Sequence, residues 1–245
     1  MNKIEICCDS YLSVRNAMSA GADRIELCSN LSVGGTTPSY GLLKQCSMMK
    51  RDIPINVLIR PRAGDFLYDD AELEEIRQEI ILCKNLHFDG IVAGFLNDDG
   101  SIDTQTTAEM VQLARPLSFT FHRAFDVSDD PFKNLEDIIA TGADRILTSG
   151  MKHKAIDGKD LIAELIRRAN GRIIIMPGSG INAGNILNIK QLTNASELHF
   201  SASSTVNSKM TFRRENIISK PEDDYTFTFS DAKKISEVKK ILSEV

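Results

Sequence analysis

The chain has 245 residues, of which 29 are Lys or Arg and 34 are Asp or Glu, so its formal net charge is −5 at pH 7. With 42% hydrophobic and 26% charged residues, the composition is typical of one soluble domain that can bury a full core. The acidic balance and the lack of a basic stripe disfavour nucleic acid as a partner. No apolar run reaches the roughly 18 residues of a membrane span, which disfavours a membrane partner. Met1–Lys3 lead directly into a strand pattern and the five cysteines form no CxxC pair, so we expect a cytoplasmic protein with reduced thiols.

One phrase occurs twice, as Gly21-Ala22-Asp23-Arg24-Ile25 and Gly142-Ala143-Asp144-Arg145-Ile146. The copies are 142 − 21 = 121 residues apart, about half of the chain. In each copy a helical stretch ends at the Gly, which suits a left-handed cap, and an apolar strand begins at the Arg. Two such helix–strand turns, half a chain apart, predict eight βα units.

The rest of the sequence supplies these units in order. Short apolar runs predict eight strands, at Ile4–Cys8, Arg24–Cys28, Ile55–Arg60, Gly90–Gly94, Leu117–Arg123, Arg145–Ser149, Arg172–Pro177 and Glu197–Ser201. Amphipathic stretches between them predict helices, including Asp70–Leu86, Thr104–Leu113, Pro131–Thr141 and Lys159–Ala169. Alternating strands and helices predict an α/β fold, a single-domain (β/α)8 TIM barrel over residues 1–245. A doubly wound open sheet is the alternative, and the half-chain repeat favours the closed barrel.

Side chains alternate along a strand, so each strand has one face towards the helices and one towards the barrel axis. The inward face is unusually polar and is predicted to hold Glu5, Cys7, Asp9, Arg24, Glu26, Cys28, Asn56, Leu58, Arg60, Thr120, His122, His199 and Ser201. A purely structural interior is mostly Val, Ile and Leu, and catalytic residues of this fold lie at the carboxyl ends of the strands. We therefore predict Glu26, Arg60 and His122 as catalytic residues, with His122 and Glu26 as acid and base. The alternative is that Glu26 and Arg60 form an ion pair that only fills the barrel.

Loops after the strands carry features that suit an anion. Arg62 follows strand three, Arg123 follows strand five, and Gly178-Ser179-Gly180 follows strand seven, where barrels of this kind often bind phosphate. The predicted anion-binding residues are Arg62, Arg123, Gly178, Ser179, Gly180 and His199. They indicate a small phosphorylated or carboxylated ligand.

Two cysteines form a separate candidate site. Cys7 and Cys28 share the inward face of adjacent strands, so their thiols can approach, and a pair of thiolates suits Cu(I). The alternative is that both are small buried hydrophobic residues, as free cysteines often are. Cys8, Cys46 and Cys83 are expected to pack against the helices.

Several strings together resemble the CutC family. They are Ile25-Glu26-Leu27-Cys28, Gly34-Gly35-Thr36-Thr37-Pro38-Ser39, Ile59-Arg60-Pro61-Arg62, Thr120-Phe121-His122-Arg123-Ala124-Phe125-Asp126, Leu147-Thr148-Ser149-Gly150 and His199-Phe200-Ser201-Ala202. The resemblance implies a cytosolic, homo-oligomeric TIM barrel of copper homeostasis that binds Cu(I) at Cys7 and Cys28. It extends over about residues 3–213 and fades from Lys220. The chain departs from the pattern at Ala63 and Ser179, where Gly is usual, and at Ser203, where Arg is usual.

Residues 202–229 are predicted to form a long excursion, a lid or an oligomer contact with an added strand, before a last helix near Ser230-Asp231. Three functions remain open at this point: a copper(I)-binding homeostasis protein, an enzyme acting on a small anionic substrate, and a structural barrel whose polar interior is only a satisfied network.

Overall fold

A computed structural model describes residues 2–214 and 225–244. Eight parallel strands form a nearly closed barrel, in the ladder order β7-β6-β5-β4-β3-β2-β1-β8, so that β1 pairs with both β2 and β8. The strands are β1 Lys3–Cys8, β2 Arg24–Leu27, β3 Ile55–Leu58, β4 Gly90–Ala93, β5 Ser118–Phe121, β6 Arg145–Thr148, β7 Ile174–Pro177 and β8 Glu197–Phe200. The predicted (β/α)8 barrel is confirmed, although several strands end before the predicted boundary.

Helices follow the strands, and most of them begin at a residue whose side chain caps the first turn. They are α1 Tyr11–Ser19, α2 Tyr40–Ser47, α3 Asp70–Asn85, α4 Thr104–Ala114, α5 Pro131–Thr141, α6 Lys159–Ala169, α7 Ile186–Thr193 and α8 Ala232–Ser243. At α3, the Asp69 side chain accepts a hydrogen bond from the Glu72 N–H and the Glu72 carboxylate accepts one from the Asp69 N–H, which is a capping box. None of the described helices is long and apolar enough to cross a membrane.

The repeated phrase has the same structure in both copies. Gly21 has φ +81° and Gly142 has φ +83°, the left-handed conformation that glycine adopts easily. Asp23 accepts the N–H of Ile4, and Asp144 accepts the N–H of Phe119, so each Asp anchors the start of a neighbouring strand. The two copies of the repeat therefore form equivalent helix-to-strand turns at two places around the barrel.

The two Arg residues of the repeat meet inside the barrel. Arg24 Nη2 lies 2.6 Å and Arg145 Nε lies 2.8 Å from the same carboxylate oxygen of Glu197. Arg24 also pairs with Glu5, and all but Arg145 of these four residues are buried. Buried ion pairs of this kind are costly to break. A structural plug thus exists, but it is built from these four residues and not from Glu26 and Arg60.

The outer faces of the strands pack on the helices and form the main hydrophobic core. Cys8, Cys46 and Cys83 belong to this core, as the sequence predicted. Cys7 and Cys28 lie instead in a small interior cluster with Leu58, Val92 and Leu31.

After β8 the chain forms an antiparallel hairpin, β9 Ser203–Asn207 with β10 Thr226–Ser230. The predicted excursion over 202–229 is therefore partly sheet, and its residues 215–224 lie outside the described residues. Ser230 ties the hairpin to the barrel: its Oγ donates to the Cys7 carbonyl at 3.0 Å and its N–H donates to Ser13 Oγ at 3.0 Å. The hairpin consequently sits at the carboxyl end of β1.

Candidate functional site

A cavity of about 530 Å³ opens at the carboxyl ends of the strands. The three predicted catalytic residues, Glu26, Arg60 and His122, all line it, and each is only 5% exposed. Ser203 and Thr228 of the hairpin line it too, so the hairpin forms part of the rim. The cavity has the position expected for a binding site in this fold.

One side of the cavity carries two thiols and a carboxylate. Strand register places Cys7 opposite Glu26, and the Cys7 thiol donates a hydrogen bond to Glu26 Oε2 at 3.1 Å. The sulfurs of Cys7 and Cys28 lie 3.3 Å apart, and both residues are buried and free. The hydrogen bond to Cys28 and burial raise the pKa of Cys7 well above its usual value. The bond from Cys7 lowers the pKa of Cys28, but burial and Glu26 outweigh it and raise this pKa too. Both groups are therefore neutral thiols here.

His199 lines the same side of the cavity, and its ring is held by a hydrogen bond with Glu5. Glu5 lies between Arg24 and His199 in the strand register, and its Oε1 is 2.8 Å from His199 Nδ1. Burial opposes ionisation of Glu5, but Arg24 and His199 lower its pKa to about 2, so Glu5 is a carboxylate. His199 Nε2 lies 3.8 Å from Glu26 Oε2. Burial lowers the pKa of His199, but Glu26 and Glu5 outweigh it and raise the pKa above its usual value.

Glu26 is suited to proton transfer. Burial raises its pKa above the usual range, against the opposing charge of His199. A buried carboxyl with a raised pKa at a cavity wall keeps its proton to higher pH than a free one, which suits a general acid or base. This agrees with the predicted acid–base role of Glu26, which remains a prediction.

Arg60 is held by backbone carbonyls. Its Nη1 donates to Val33 O at 3.0 Å and Gly35 O at 2.9 Å, and its Nη2 donates to Gly64 O at 2.7 Å. Its guanidinium carbon lies 4.8 Å from the ring centroid of Phe66. Among the described residues no carboxylate pairs with Arg60, and its buried Nε has no hydrogen-bond partner. Arg60 therefore joins two loops and brings an uncompensated positive charge to the cavity wall.

His122 is a neutral hydrogen-bond donor. The Ala124 N–H donates to Nδ1 at 3.2 Å, which places the ring proton on Nε2. The buried Nε2 has no partner among the described residues. Burial and the nearby Arg60 and Arg123 lower the pKa of His122 to about 3. A neutral ring with Nε2–H suits contact with a ligand oxygen better than the acid–base role that the sequence suggested.

The predicted anion-binding residues fall into two groups. Arg123, Ser179, Gly180 and His199 line the cavity. Arg62 and Gly178 do not, and Arg62 pairs with Glu72 and Asp65 on the outer side of its loop.

The glycine-containing loop after β7 is separated from the next helix. Gly178 donates its N–H to the Thr148 carbonyl at 2.9 Å, and α7 starts eight residues further on, so this loop does not open a helix directly. Ser179 has φ +79°, a left-handed conformation that glycine adopts more easily than serine.

Sequence reasoning missed the residues that position the site. Asp126 accepts hydrogen bonds from Thr148 Oγ1 at 2.5 Å and from the N–H groups of Ser149 and Met151, and it pairs with Arg123. Its side chain is only 6% exposed. The position of Asp126 in a conspicuous string was the one available signal, because its partners lie on another strand and loop.

Comparison with known proteins identifies the family. The CutC family matches residues 2–204. A CutC family protein of Parabacteroides distasonis is 51% identical over 214 residues, 87% of this chain and 88% of the relative. The copper homeostasis protein cutC homolog of Homo sapiens is 44% identical over 99% of this chain and 89% of its own.

A solved structure agrees with this. The crystal structure of a CutC copper homeostasis protein from Streptococcus agalactiae superposes with a TM-score of 0.78 at 35% identity, covering 82% of this chain and 99% of the other. Sequence and fold thus agree with the strings that the sequence analysis singled out, and the chain belongs to the CutC family.

Proposed function

We propose that this protein acts in copper homeostasis by binding one Cu(I) ion between Cys7 and Cys28. The observation that carries the proposal is the 3.3 Å separation of two free, buried thiols at the end of adjacent strands. With metal–sulfur bonds of about 2.3 Å, as for zinc, two sulfurs around one ion are at most about 4.6 Å apart. Since the sulfurs are 3.3 Å apart, the pair needs to open by at most about 1.3 Å, which side-chain rotation can supply. The names of the relatives support the copper role.

The chemistry of this pair favours a soft ion. Two thiolates are the ligands that Cu(I) prefers, and the cluster around them supplies the apolar side chains of Leu58, Val92 and Leu31. Because both thiols are neutral in the free protein, binding must release protons, and affinity should rise with pH.

Titration of the reduced protein with Cu(I) in competition with a chromogenic chelator tests the proposal. We expect about one ion per chain, and expect Cys7→Ser and Cys28→Ser each to abolish tight binding. Cys46→Ser is the matched control, since Cys46 is buried in the helix layer and should leave binding unchanged. Unchanged Cu(I) affinity in both Cys7→Ser and Cys28→Ser would show that this pair is not the copper site.

A second candidate function is favoured by a different observation. Arg60 Nε–H and His122 Nε2–H both lack partners and belong to side chains at the same cavity wall, with Glu26 at the same cavity. Unmet buried donors are costly, and a ligand oxygen would satisfy them. We therefore keep an enzyme acting on a small phosphorylated or carboxylated substrate, with Glu26 as the acid–base group, as the alternative.

Inorganic phosphate is a suitable probe for this alternative. A ligand that binds only the folded state raises its stability, by about 2.7 kcal/mol at a hundred times Kd. We expect phosphate to raise the thermal midpoint of the wild type and of Arg62→Met, whose side chain lies outside the cavity, but not that of Arg60→Met. Equal shifts in all three proteins would mean that phosphate does not bind at Arg60.

A further inference from the structure

A second set of metal-ligand atoms lies beside the thiol pair. Cys7 Sγ, a Glu26 carboxylate oxygen and a His199 ring nitrogen lie within 4.8 Å of one another, and all three residues are buried and line the cavity. It is the one group of three or more His, Cys, Asp or Glu side chains in residues 2–214 and 225–244 with this proximity. Cys28 is not a member of this group.

The observed distances are close to those of a bound ion. Tetrahedral zinc with a bond of about 2.3 Å to sulfur, 2.05 Å to nitrogen and 2.1 Å to oxygen sets S···O near 3.6 Å and N···O near 3.4 Å. Cys7 Sγ is 3.1 Å and His199 Nε2 is 3.8 Å from Glu26 Oε2. Each of these two pairs needs to move by about half an ångström or less, and the third pair, Cys7 Sγ and a His199 ring nitrogen, lies within 4.8 Å.

His199 has the support that metal-binding histidines usually have. Glu5 holds Nδ1 at 2.8 Å, and Arg24 in turn holds Glu5. A carboxylate on one ring nitrogen fixes the orientation of the ring and leaves the other nitrogen as the ligand, which is the usual outer shell of zinc-bound imidazole. Here the other nitrogen, Nε2, is the one near Glu26. This independent feature lies behind the ligands and does not involve the thiols.

We propose that Cys7, Glu26 and His199 form a binding site for a divalent transition-metal ion of the zinc class. One sulfur, one imidazole nitrogen and one carboxylate oxygen suit Zn²⁺ or Co²⁺, whereas Mg²⁺ and Ca²⁺ prefer all-oxygen ligands. A thiolate and a carboxylate also balance the charge of the ion. Three protein ligands at a cavity wall leave the fourth position for water or a ligand oxygen, as in catalytic zinc sites.

This site goes beyond the copper proposal, because it uses a different ion and only one of the two thiols. Both ions need Cys7, so they exclude each other. Cu(I) depends on Cys28 and not on His199, and the divalent ion depends on His199 and not on Cys28. The two proposals can therefore fail separately.

Cobalt(II) is the probe, because a thiolate ligand gives it a charge-transfer absorption that an oxygen or nitrogen site lacks. We expect the reduced full-length protein to bind one Co²⁺ per chain with this band, and Zn²⁺ to displace it. Cys7→Ser should abolish the band. His199→Gln and Glu26→Gln should each weaken Co²⁺ binding at least tenfold, and His199→Gln should leave Cu(I) binding within about twofold. Cys28→Ser should leave the Co²⁺ band unchanged.

The second layer gives a further readout. Glu5→Gln should weaken Co²⁺ binding by roughly 10–100-fold, the usual effect of losing the carboxylate behind a metal-bound histidine. Far-ultraviolet circular dichroism checks that each variant is folded. If another variant unfolds, the proposal is tested by comparing the Co²⁺ charge-transfer band of Cys28→Ser with that of the wild type. Co²⁺ bound without a thiolate band, or a band lost in Cys28→Ser, would overturn the proposal. So would unchanged Co²⁺ affinity in folded His199→Gln.

Discussion

Glu79 on α3 should make the protein less stable as pH rises, and Glu79→Gln should remove this effect. Burial raises the pKa of Glu79 from 4.5 to about 7, against the hydrogen bond that Thr37 Oγ1 donates at 2.7 Å. Between these values the unfolded chain loses the proton first, so stability falls as pH rises from about 4.5 to 7. At 1.36 kcal/mol per tenfold change the full effect is about 3 kcal/mol. The side chain is half-buried, and screening by water reduces the expected effect to about 1–3 kcal/mol.

Urea unfolding at pH 5, 6, 7 and 8 measures this. Glutamine keeps an acceptor for Thr37, so Glu79→Gln should gain about 1–3 kcal/mol over the wild type between the lowest and the highest pH. Glu237→Gln on α8 is the control, since Glu237 is exposed and its replacement should give no such trend. A constant difference between wild type and Glu79→Gln at every pH would refute the reasoning. The result matters for the site because the same Thr37 oxygen accepts the Arg60 N–H at 2.9 Å.

Two more changes test the wall of the cavity. Arg60→Met should lower the free energy of unfolding in urea by roughly 2–5 kcal/mol, because three charge-assisted bonds to loop carbonyls are lost, whereas Arg62→Met should cost about 1 kcal/mol or less. Equal losses would contradict the loop-joining role of Arg60. Gly94→Ala would place a methyl 2.5 Å from His122 Nδ1, so it should cost about 1–3 kcal/mol and shift the imidazole NMR signals of His122. Gly41→Ala is the control: Gly41 lies in a helix, an added methyl would have no neighbour closer than 3.9 Å, and the change should stabilise the protein by up to about 1 kcal/mol. Unaltered His122 signals in Gly94→Ala would show that the methyl does not displace the His122 ring.

The barrel and the inward face of its strands could be predicted because both depend on local pattern. The two-residue alternation puts Glu26, His122 and Arg60 on the cavity side, and the half-chain repeat counts the units. The partners of these residues depend on long-range geometry. Arg60 binds carbonyls of two loops whose course no periodicity encodes, and so the alternative of an ion pair with Glu26 does not form.

The ion pairs of Glu5, Arg24, Arg145 and Glu197 inside the barrel also depend on long-range geometry that the sequence pattern does not reveal. Arg145 begins β6 and Glu197 begins β8. Nothing in either segment indicates that the Arg145 guanidinium contacts the Glu197 carboxylate. The register of β1 with β2 and β8 brings Arg24 and His199 to Glu5. That register is a property of the closed barrel, so the contact of Glu5 with His199 could not be predicted before the fold was known.

The acid–base and metal roles of this cavity compete for one group. A Cu(I) ion on Cys7 and Cys28 leaves Glu26 uncoordinated, so the carboxyl can still exchange a proton with a substrate. A divalent ion on Cys7, Glu26 and His199 uses that carboxylate as a ligand, and proton transfer would then fall to the water or ligand in the fourth position. His199→Gln separates the cases, because it should spare Cu(I) binding and weaken Co²⁺ binding. If the proposals hold, the ion that binds Cys7 determines whether Glu26 is free for proton transfer.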